Sequence, residues 1–197
     1  MPIEFVKFAV LGVVSASLVL GGCASRSAKD AAEANQIEQH PVTVDIYGGS
    51  NLNADDRGRP MALVIKLYRL KDPDAFQRAS VEDLATNVKD HETLGDDLVD
   101  VKELVLTPGQ QIEREQILSS EVGYLGVMAE FRNPFKERWK FVFADKGFAV
   151  KGKNAKRSLV IGVHECAMTV SEGTLYQSQG INPGSLGGVV CRAPAAR

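Results

Sequence analysis

Residues 124–132, YLGVMAEFR, alternate between apolar side chains and small or polar ones. Every second residue from Leu125 to Phe131 is apolar, and successive side chains of a strand point to opposite faces of a sheet. Asn133 and Pro134 follow, and both residue types interrupt regular structure. The stretch therefore predicts a β-strand that turns one face towards a hydrophobic core.

Similar patterns lie on both sides of this strand. Residues 42–47 (VTVDIY) and 63–70 (LVIKLYRL) alternate in the same way, and between them residues 50–60 (SNLNADDRGRP) are dense in turn-forming residue types. Short strands joined by turns, with helices that do not alternate with them, predict a mainly β protein, an antiparallel β-sandwich. Further strands are expected at residues 102–106, 111–118, 139–143 and 159–170.

A short helical insertion is predicted at about residues 72–100. Asp72 is a good N-cap residue before Pro73, and residues 80–83 form a variant of the capping box that starts a second helix. A third, weaker helical turn is expected over residues 94–101. The residues expected to face the core from the insertion are Phe76, Leu84, Val88, Leu94, Leu98 and Val101.

The N-terminus carries an apolar run, residues 8–20, that is shorter than the about 20 residues a transmembrane helix needs. Its length is typical of the apolar region of a secretory signal peptide. Residues 20–23, LGGC, resemble a bacterial lipobox, in which the cysteine is acylated and becomes the first residue of the mature chain. Cys23 is therefore the predicted lipidation site. An ordinary signal peptide, or an anchor with an incidental cysteine, remains the alternative.

The residue after Cys23 is alanine, and the absence of aspartate there favours sorting to the periplasmic face of the outer membrane. More than one acyl chain gives stable membrane anchoring. The predicted organisation is thus a signal peptide at residues 1–22, a flexible tether at 23–40, a β-sandwich domain at 41–170 and a C-terminal extension at 171–197.

Two cysteines remain, Cys166 and Cys191. In an oxidising periplasm they are candidates for a disulfide, worth about 3 kcal/mol in the loop-entropy model. Two unpaired thiols are the alternative. Cys166 and Cys191 do not form a C-x-x-C motif, so a redox-active pair is not predicted.

Composition and motifs argue against nucleic-acid binding and catalysis. The net charge of −2 leaves no basic excess for binding a phosphate backbone. Phosphate-loop, dinucleotide-binding and nucleophile-elbow motifs are missing from the sequence. His164 and Glu165 are adjacent on a predicted strand and would point to opposite faces, while Asp55 and Asp56 are interpreted as solvated loop charges. We therefore predict no catalytic residue and no metal site, and a recognition role for the loop at residues 48–61. A flexible connection with no role is the alternative for this loop.

Several stretches together resemble one family, the type VI secretion outer-membrane lipoproteins (TssJ, VasD or SciN). Single motifs are weak, but their order and spacing across about residues 42–170 are specific. The stretches that carry the resemblance are the lipobox at Cys23, residues 53–60 (NADDRGRP) leading into 63–70 (LVIKLYRL), Lys71 and Asp72, Phe76, residues 107–109 (TPG), 124–132 (YLGVMAEFR) and Trp139 with Lys140.

This resemblance implies a transthyretin-like β-sandwich with added helices, no enzymatic activity, and no cofactor other than the lipid on Cys23. It also implies a partner, the periplasmic C-terminal region of the inner-membrane protein TssM, beside TssL. The loop between the first two strands is implicated in that contact, and no small-molecule substrate is expected. A periplasmic, lipid-anchored carrier of a small ligand is the alternative. The expected partner-binding residues are Asn51, Leu52, Asn53, Asp55, Asp56, Arg57 and Arg59.

Overall fold

The computed structural model of the chain describes residues 38–152, 156–177 and 180–191, in which nine strands and two α-helices are found. The α-helices are α1 (Asp74–Arg78) and α2 (Asn87–Leu94), and neither is long and apolar enough to cross a membrane. The strands are β1 (Gln39–Gly48), β2 (Leu63–Leu70), β3 (Leu98–Leu106), β4 (Gln111–Ser119), β5 (Tyr124–Ala129), β6 (Lys140–Ala144), β7 (Ala149–Lys151), β8 (Lys156–Val163) and β9 (Met168–Glu172).

The strands form two sheets, which confirms the mainly β sandwich prediction and is consistent with a transthyretin-like fold. The first sheet has the order β4-β1-β8-β7, with β9 also paired to β8, and the second has the order β3-β2-β5-β6. One pair departs from the antiparallel prediction, because β1 and β8 run parallel. These two strands are far apart in the sequence, so no tight turn forces them into opposite directions.

The main core fills the space between the sheets. Alternate residues of β1, Val42, Val44 and Ile46, are fully buried and face alternate residues of β2 and β5. This is the arrangement that the period-two sequence patterns predict. The aromatic side chains of the main core are Phe131, Phe141, Phe143 and Phe148.

A second apolar cluster covers the outer face of the β3-β2-β5-β6 sheet. Tyr68 and Leu70 of β2 and Met128 of β5 point away from the main core and pack against Phe76 and Leu84 of the insertion. The ring of Phe76 fits over Gly126, where an added Cβ would approach it to about 3.0 Å. The insertion therefore serves as a lid that buries the other face of β2, and β2 is covered on both sides.

The insertion differs from its prediction in two ways. Val88 is exposed on α2, whereas Leu84 is buried in a short 3₁₀ helix, Glu82–Leu84, that precedes α2. Leu98 and Val101 lie in β3, so the predicted third helical turn is found only as a short 3₁₀ helix, Gly95–Asp97, that ends before them. Gly95, which has a φ of 52°, ends α2 before them.

Other boundaries also differ from prediction. The apolar stretch at residues 159–170 forms two strands, β8 and β9, with a turn at residues 164–167 between them. β1 begins at Gln39, inside the stretch predicted as a tether. β7 was not predicted, because three residues carry too little periodicity.

The strand pairings show which strand ends lie together at each end of the sandwich. At the end defined here as the loop end, Gly48 of β1 pairs with Val163 of β8, and Ile65 of β2 pairs with Ala129 of β5. At the opposite end, Gln39 of β1 pairs with Ser119 of β4. The ten residues of β1 span roughly 30 Å between the two ends.

Candidate functional site

The loop between β1 and β2, residues 49–62, has a buried base. Leu52 is fully buried in the main core and Asn53 is only 5% exposed. Asn53 adopts a positive φ of 46°, which asparagine tolerates better than most residues. Its amide nitrogen donates to the Ala62 carbonyl at 3.2 Å, and its amide oxygen accepts from the Arg132 backbone N–H at 2.9 Å. Asn53 thus joins both ends of the loop to the segment that follows β5.

Backbone hydrogen bonds hold the same base against the turn between β8 and β9. The Gly49 N–H donates to the Val163 carbonyl at 2.8 Å, and the Asn53 N–H donates to the His164 carbonyl at 3.1 Å. The Met61 N–H closes the base by donating to the Leu52 carbonyl at 2.9 Å. The loop is therefore long in sequence but narrow and fixed where it leaves the sandwich.

The carboxylate of Asp55 organises the tip. It accepts the backbone N–H groups of Arg57 and Arg59, both at 2.9 Å, and the Arg59 guanidinium at 2.6 and 2.7 Å. These bonds, that of the Arg59 side chain foremost, lower the pKa of Asp55 to about 2. Gly58, at a φ of 72°, makes the tight turn that brings Arg59 back towards Asp55.

The exposed surface of the tip comes from residues 56–60. Asp56 lies 3.7 Å from the Arg132 guanidinium, so the tip presents both signs of charge beside an arginine of the neighbouring segment. Of the seven residues expected to contact a partner, Leu52 and Asn53 are buried and support the loop from within. Sequence patterns could not separate the two roles, because all seven lie in one polar stretch.

The structure joins Cys166 to Cys191 by a disulfide, with the Cα atoms 5.6 Å apart. Cys166 lies in the turn between β8 and β9, so the bond ties the C-terminal extension to the loop end. Arg138, buried beside it, donates to the carbonyls of Asn182 and Ser185 at 3.0 and 2.9 Å. Arg138 had no distinguishing pattern in the sequence. The predicted lipidation site, Cys23, lies outside the described residues.

The histidines that could have signalled chemistry have structural partners. His164 lies in the turn after β8, not on a strand, and its Nε2 is 3.0 Å from the Thr169 hydroxyl. Burial lowers the pKa of His164, which keeps the ring neutral at neutral pH. His40 contacts Asp145 at 2.8 Å at the opposite end. Among the described residues, no group of three or more His, Cys, Asp or Glu side chains could hold a metal ion.

A cavity of about 200 Å³ lies beside β6 and α1, and its lining includes no residue of the β1–β2 loop. The ammonium group of Lys140 in its wall donates to the carbonyls of Phe76, Gln77 and Ala79, which leaves no proton for a ligand. The same group lies 4.8 Å from the centre of the Trp139 ring. The polar group best placed to bind a ligand in this cavity is thus already used to hold α1.

Two sheets with a narrow-based, polar, charge-bearing loop at one end place the chain in the class of β-sandwich proteins. Comparison with known proteins makes the assignment more specific. The chain belongs to the type VI secretion lipoprotein family (VasD, EvfM, TssJ), whose sequence model matches residues 40–166. This confirms the resemblance seen in the sequence. A search of curated proteins finds no significant match.

Solved structures agree with the family assignment. The T6SS lipoprotein TssJ1 from Pseudomonas aeruginosa is 28% identical, with a TM-score of 0.59, over 70% of this chain and 98% of that one. A chain of a type VI membrane complex is 25% identical, with a TM-score of 0.58, over 68% of this chain and 98% of that one. A chain in a structure described as the T6SS protein TssM C-terminal domain from EAEC is 25% identical, with a TM-score of 0.56. The match covers 66% of this chain and 98% of that one.

Proposed function

We propose that this protein is a non-enzymatic, lipid-anchored component of the type VI secretion membrane complex. It docks the periplasmic C-terminal region of a TssM protein through the loop between β1 and β2. The observation that carries the proposal is the construction of that loop. A buried base and the bonds to Asp55 keep the exposed tip in one shape before a partner arrives, so little ordering entropy is lost on binding.

The similarity to chains from a type VI membrane complex and from a structure described by the TssM C-terminal domain supports this partner. TssL would be the neighbour of TssM in the same assembly. The charges of residues 55–59 and of Arg132 favour a partner face that also carries both signs of charge.

The membrane end of the proposal rests on Cys23. Acylated there, the mature chain would sit at the periplasmic face of the outer membrane, with residues 24–38 as the link to β1. β1 starts at the end of the sandwich opposite the loop. The chain towards the lipid therefore joins the domain at the end opposite the docking tip, as suits a spacer between two membranes.

The test replaces the tip residues 56–60 with Gly-Ser-Gly-Ser-Gly and keeps Leu52 and Asn53. A matched control replaces the exposed Ser120 and Glu121, at the opposite end, with Gly-Ser. Binding of the purified mature protein to the TssM periplasmic C-terminal region is measured by biolayer interferometry. We expect the tip replacement to weaken binding by about a hundredfold, and the control to leave it unchanged.

Circular dichroism and the melting temperature show whether both variants keep the sandwich. Equal binding by the wild type and a folded tip variant would overturn the loop assignment. Absence of binding by the wild type would overturn the choice of partner.

A further inference from the structure

Four segments meet at the loop end and are bonded to one another. They are the β1–β2 loop (residues 49–62), the β5–β6 connection (130–139), the β8–β9 turn (164–167) and the tail (181–191). The loop is bonded to the turn through His164 and to the connection through Arg132. The connection and the turn are bonded together, because the Phe135 N–H donates to the Cys166 carbonyl at 2.8 Å. The loop base is thus one part of a larger continuous surface.

The tail is fastened to this surface at several points. The Val170 N–H donates to the Pro183 carbonyl at 2.9 Å, and Arg138 bonds two further tail carbonyls. The disulfide between Cys166 and Cys191 fixes the far end of the tail. Within the tail, the Val189 N–H donates to the Leu186 carbonyl at 3.0 Å and forms a tight turn.

This turn displays apolar side chains that the fold does not use. Val190 is 75% exposed and Leu186 is 39% exposed. Both line a surface depression of about 360 Å³, and Asn51 of the β1–β2 loop lines the same depression. The polar part of its wall comes from Asn51, His164 and Glu165. The depression is therefore lined by both the loop and the tail.

We propose that Leu186 and Val190 form the apolar half of the docking surface whose polar half is the β1–β2 loop, which meets them at Asn51. The occupant is the protein partner of the proposed function, on which this inference rests. It would place an apolar side chain in the depression beside Asn51 while its charged groups meet the loop. Apolar contacts surrounded by polar ones are the usual composition of a protein interface.

Two observations favour the same partner for both halves. Asn51 of the loop and Leu186 and Val190 of the tail line one depression, so a partner seated in it contacts both segments at once. The family model ends at Cys166, the residue to which the tail is bonded, so the tail adds contacts outside the matched region. In this proposal the loop contacts the partner through residues that the family model matches. The tail adds contacts that distinguish the cognate partner from related proteins.

The experiment compares Val190→Asp and Leu186→Asp with Val150→Asp. Val150 is a matched control because it is 64% exposed, on β7 at the opposite end. Binding of each mature protein to the TssM periplasmic C-terminal region is measured beside the tip replacement. We expect each tail variant to weaken binding about tenfold, mainly through faster dissociation, and Val150→Asp to leave it unchanged.

Mass spectrometry with thiol labelling confirms that each variant keeps its disulfide. A second measurement uses the double variant Cys166→Ser/Cys191→Ser, which frees the far end of the tail. We expect it to weaken binding by a similar factor. If the tip replacement abolishes binding while both tail variants bind like the wild type, this inference is overturned and the proposed function stands. If the wild type does not bind the partner, both are overturned.

Discussion

At the residue scale, Asp55 holds the tip of the loop, and its titration can be measured. Its folded pKa of about 2 lies below the ordinary value of 3.8, so its contribution to loop order is fully present above pH 3.8. That contribution is lost as pH falls through 2. We expect the side-chain carbon signal of Asp55 in NMR to titrate near pH 2. In Arg59→Ala the midpoint should move up towards 3.8, because Arg59 is the main cause of the shift.

The amide signals of residues 57 and 59 provide the control for this titration. In Asp55→Asn they should no longer respond to pH between 4 and about 2. An Asp55 midpoint that stays the same in Arg59→Ala would contradict the role given to the guanidinium.

Lys66 is the second residue whose replacement has a clear expected effect. Its ammonium group, almost fully buried on the outer face of β2, lies 3.0 Å from the Asp90 carboxylate and 2.9 Å from the Leu84 carbonyl. Lys66→Met leaves Asp90 buried without its cation, which costs about 3–5 kcal/mol of unfolding free energy. The double variant Lys66→Met/Asp90→Leu should recover a large part of the loss. Urea denaturation measures all of these values.

Lys102→Met is the matched control, since Lys102 is exposed on the neighbouring strand β3. It should change the unfolding free energy by less than about 0.5 kcal/mol. An equal loss of unfolding free energy in Lys66→Met and Lys102→Met would contradict a stabilising role for the buried ion pair.

Asp55 and Lys66 differ in how much of their environment the sequence predicts. The tip of the loop could be predicted, because turn-forming residues between two clear strands indicate a surface loop. The burial of Lys66 could not. Alternation correctly puts it on the face of β2 away from the main core, but only the packed insertion makes that face an interior one.

At the element scale, Lys140 stabilises the C-terminal end of α1 by hydrogen bonds to its backbone carbonyls. A helix leaves its last carbonyls without intrahelical partners. In α1 the Lys140 ammonium group of β6 donates to the Phe76 and Gln77 carbonyls at 2.6 and 2.8 Å. Lys140→Met keeps the apolar stem but removes the donor. We expect a loss of about 1.5–3 kcal/mol in unfolding free energy and faster amide exchange in α1.

Lys146→Met, on an exposed residue after β6, is the control for that change. Faster exchange confined to α1 in Lys140→Met, with the strands unaffected, is the specific result. Uniformly faster exchange across both sheets would contradict a local role for Lys140.

The strands were predictable because buried and exposed positions alternate along them, and β2 was predicted with its observed bounds. The segment around Leu98 was not, since its apolar spacing fits a helix and a strand equally well. The division of β8 from β9 was also missed, because residues 164–167 contain neither glycine nor proline. Contacts across the loop end, such as Arg138 with Ser185, join residues distant in the chain and leave no local pattern.

At the scale of the whole molecule, the prediction concerns Cys23. In Cys23→Ser we expect no mature, membrane-bound protein, because no thiol is available to carry the lipid. The chain should stay as a precursor or appear in the soluble periplasm. Fractionation of cells followed by immunoblotting measures this. Cys166→Ser is the matched control, and it should still fractionate with the outer membrane.

The parallel pairing of β1 with β8 has a consequence for how the chain reaches its folded state. Val42 lies beside Arg157, so the first strand of the domain pairs with one near the end of the chain. Pairings between such distant segments form slowly. Until β8 is in place, β1 keeps one edge open and is prone to mispairing with other chains. Under the export proposed above, chaperones that shield strand edges should therefore matter most for this protein before β8 has emerged.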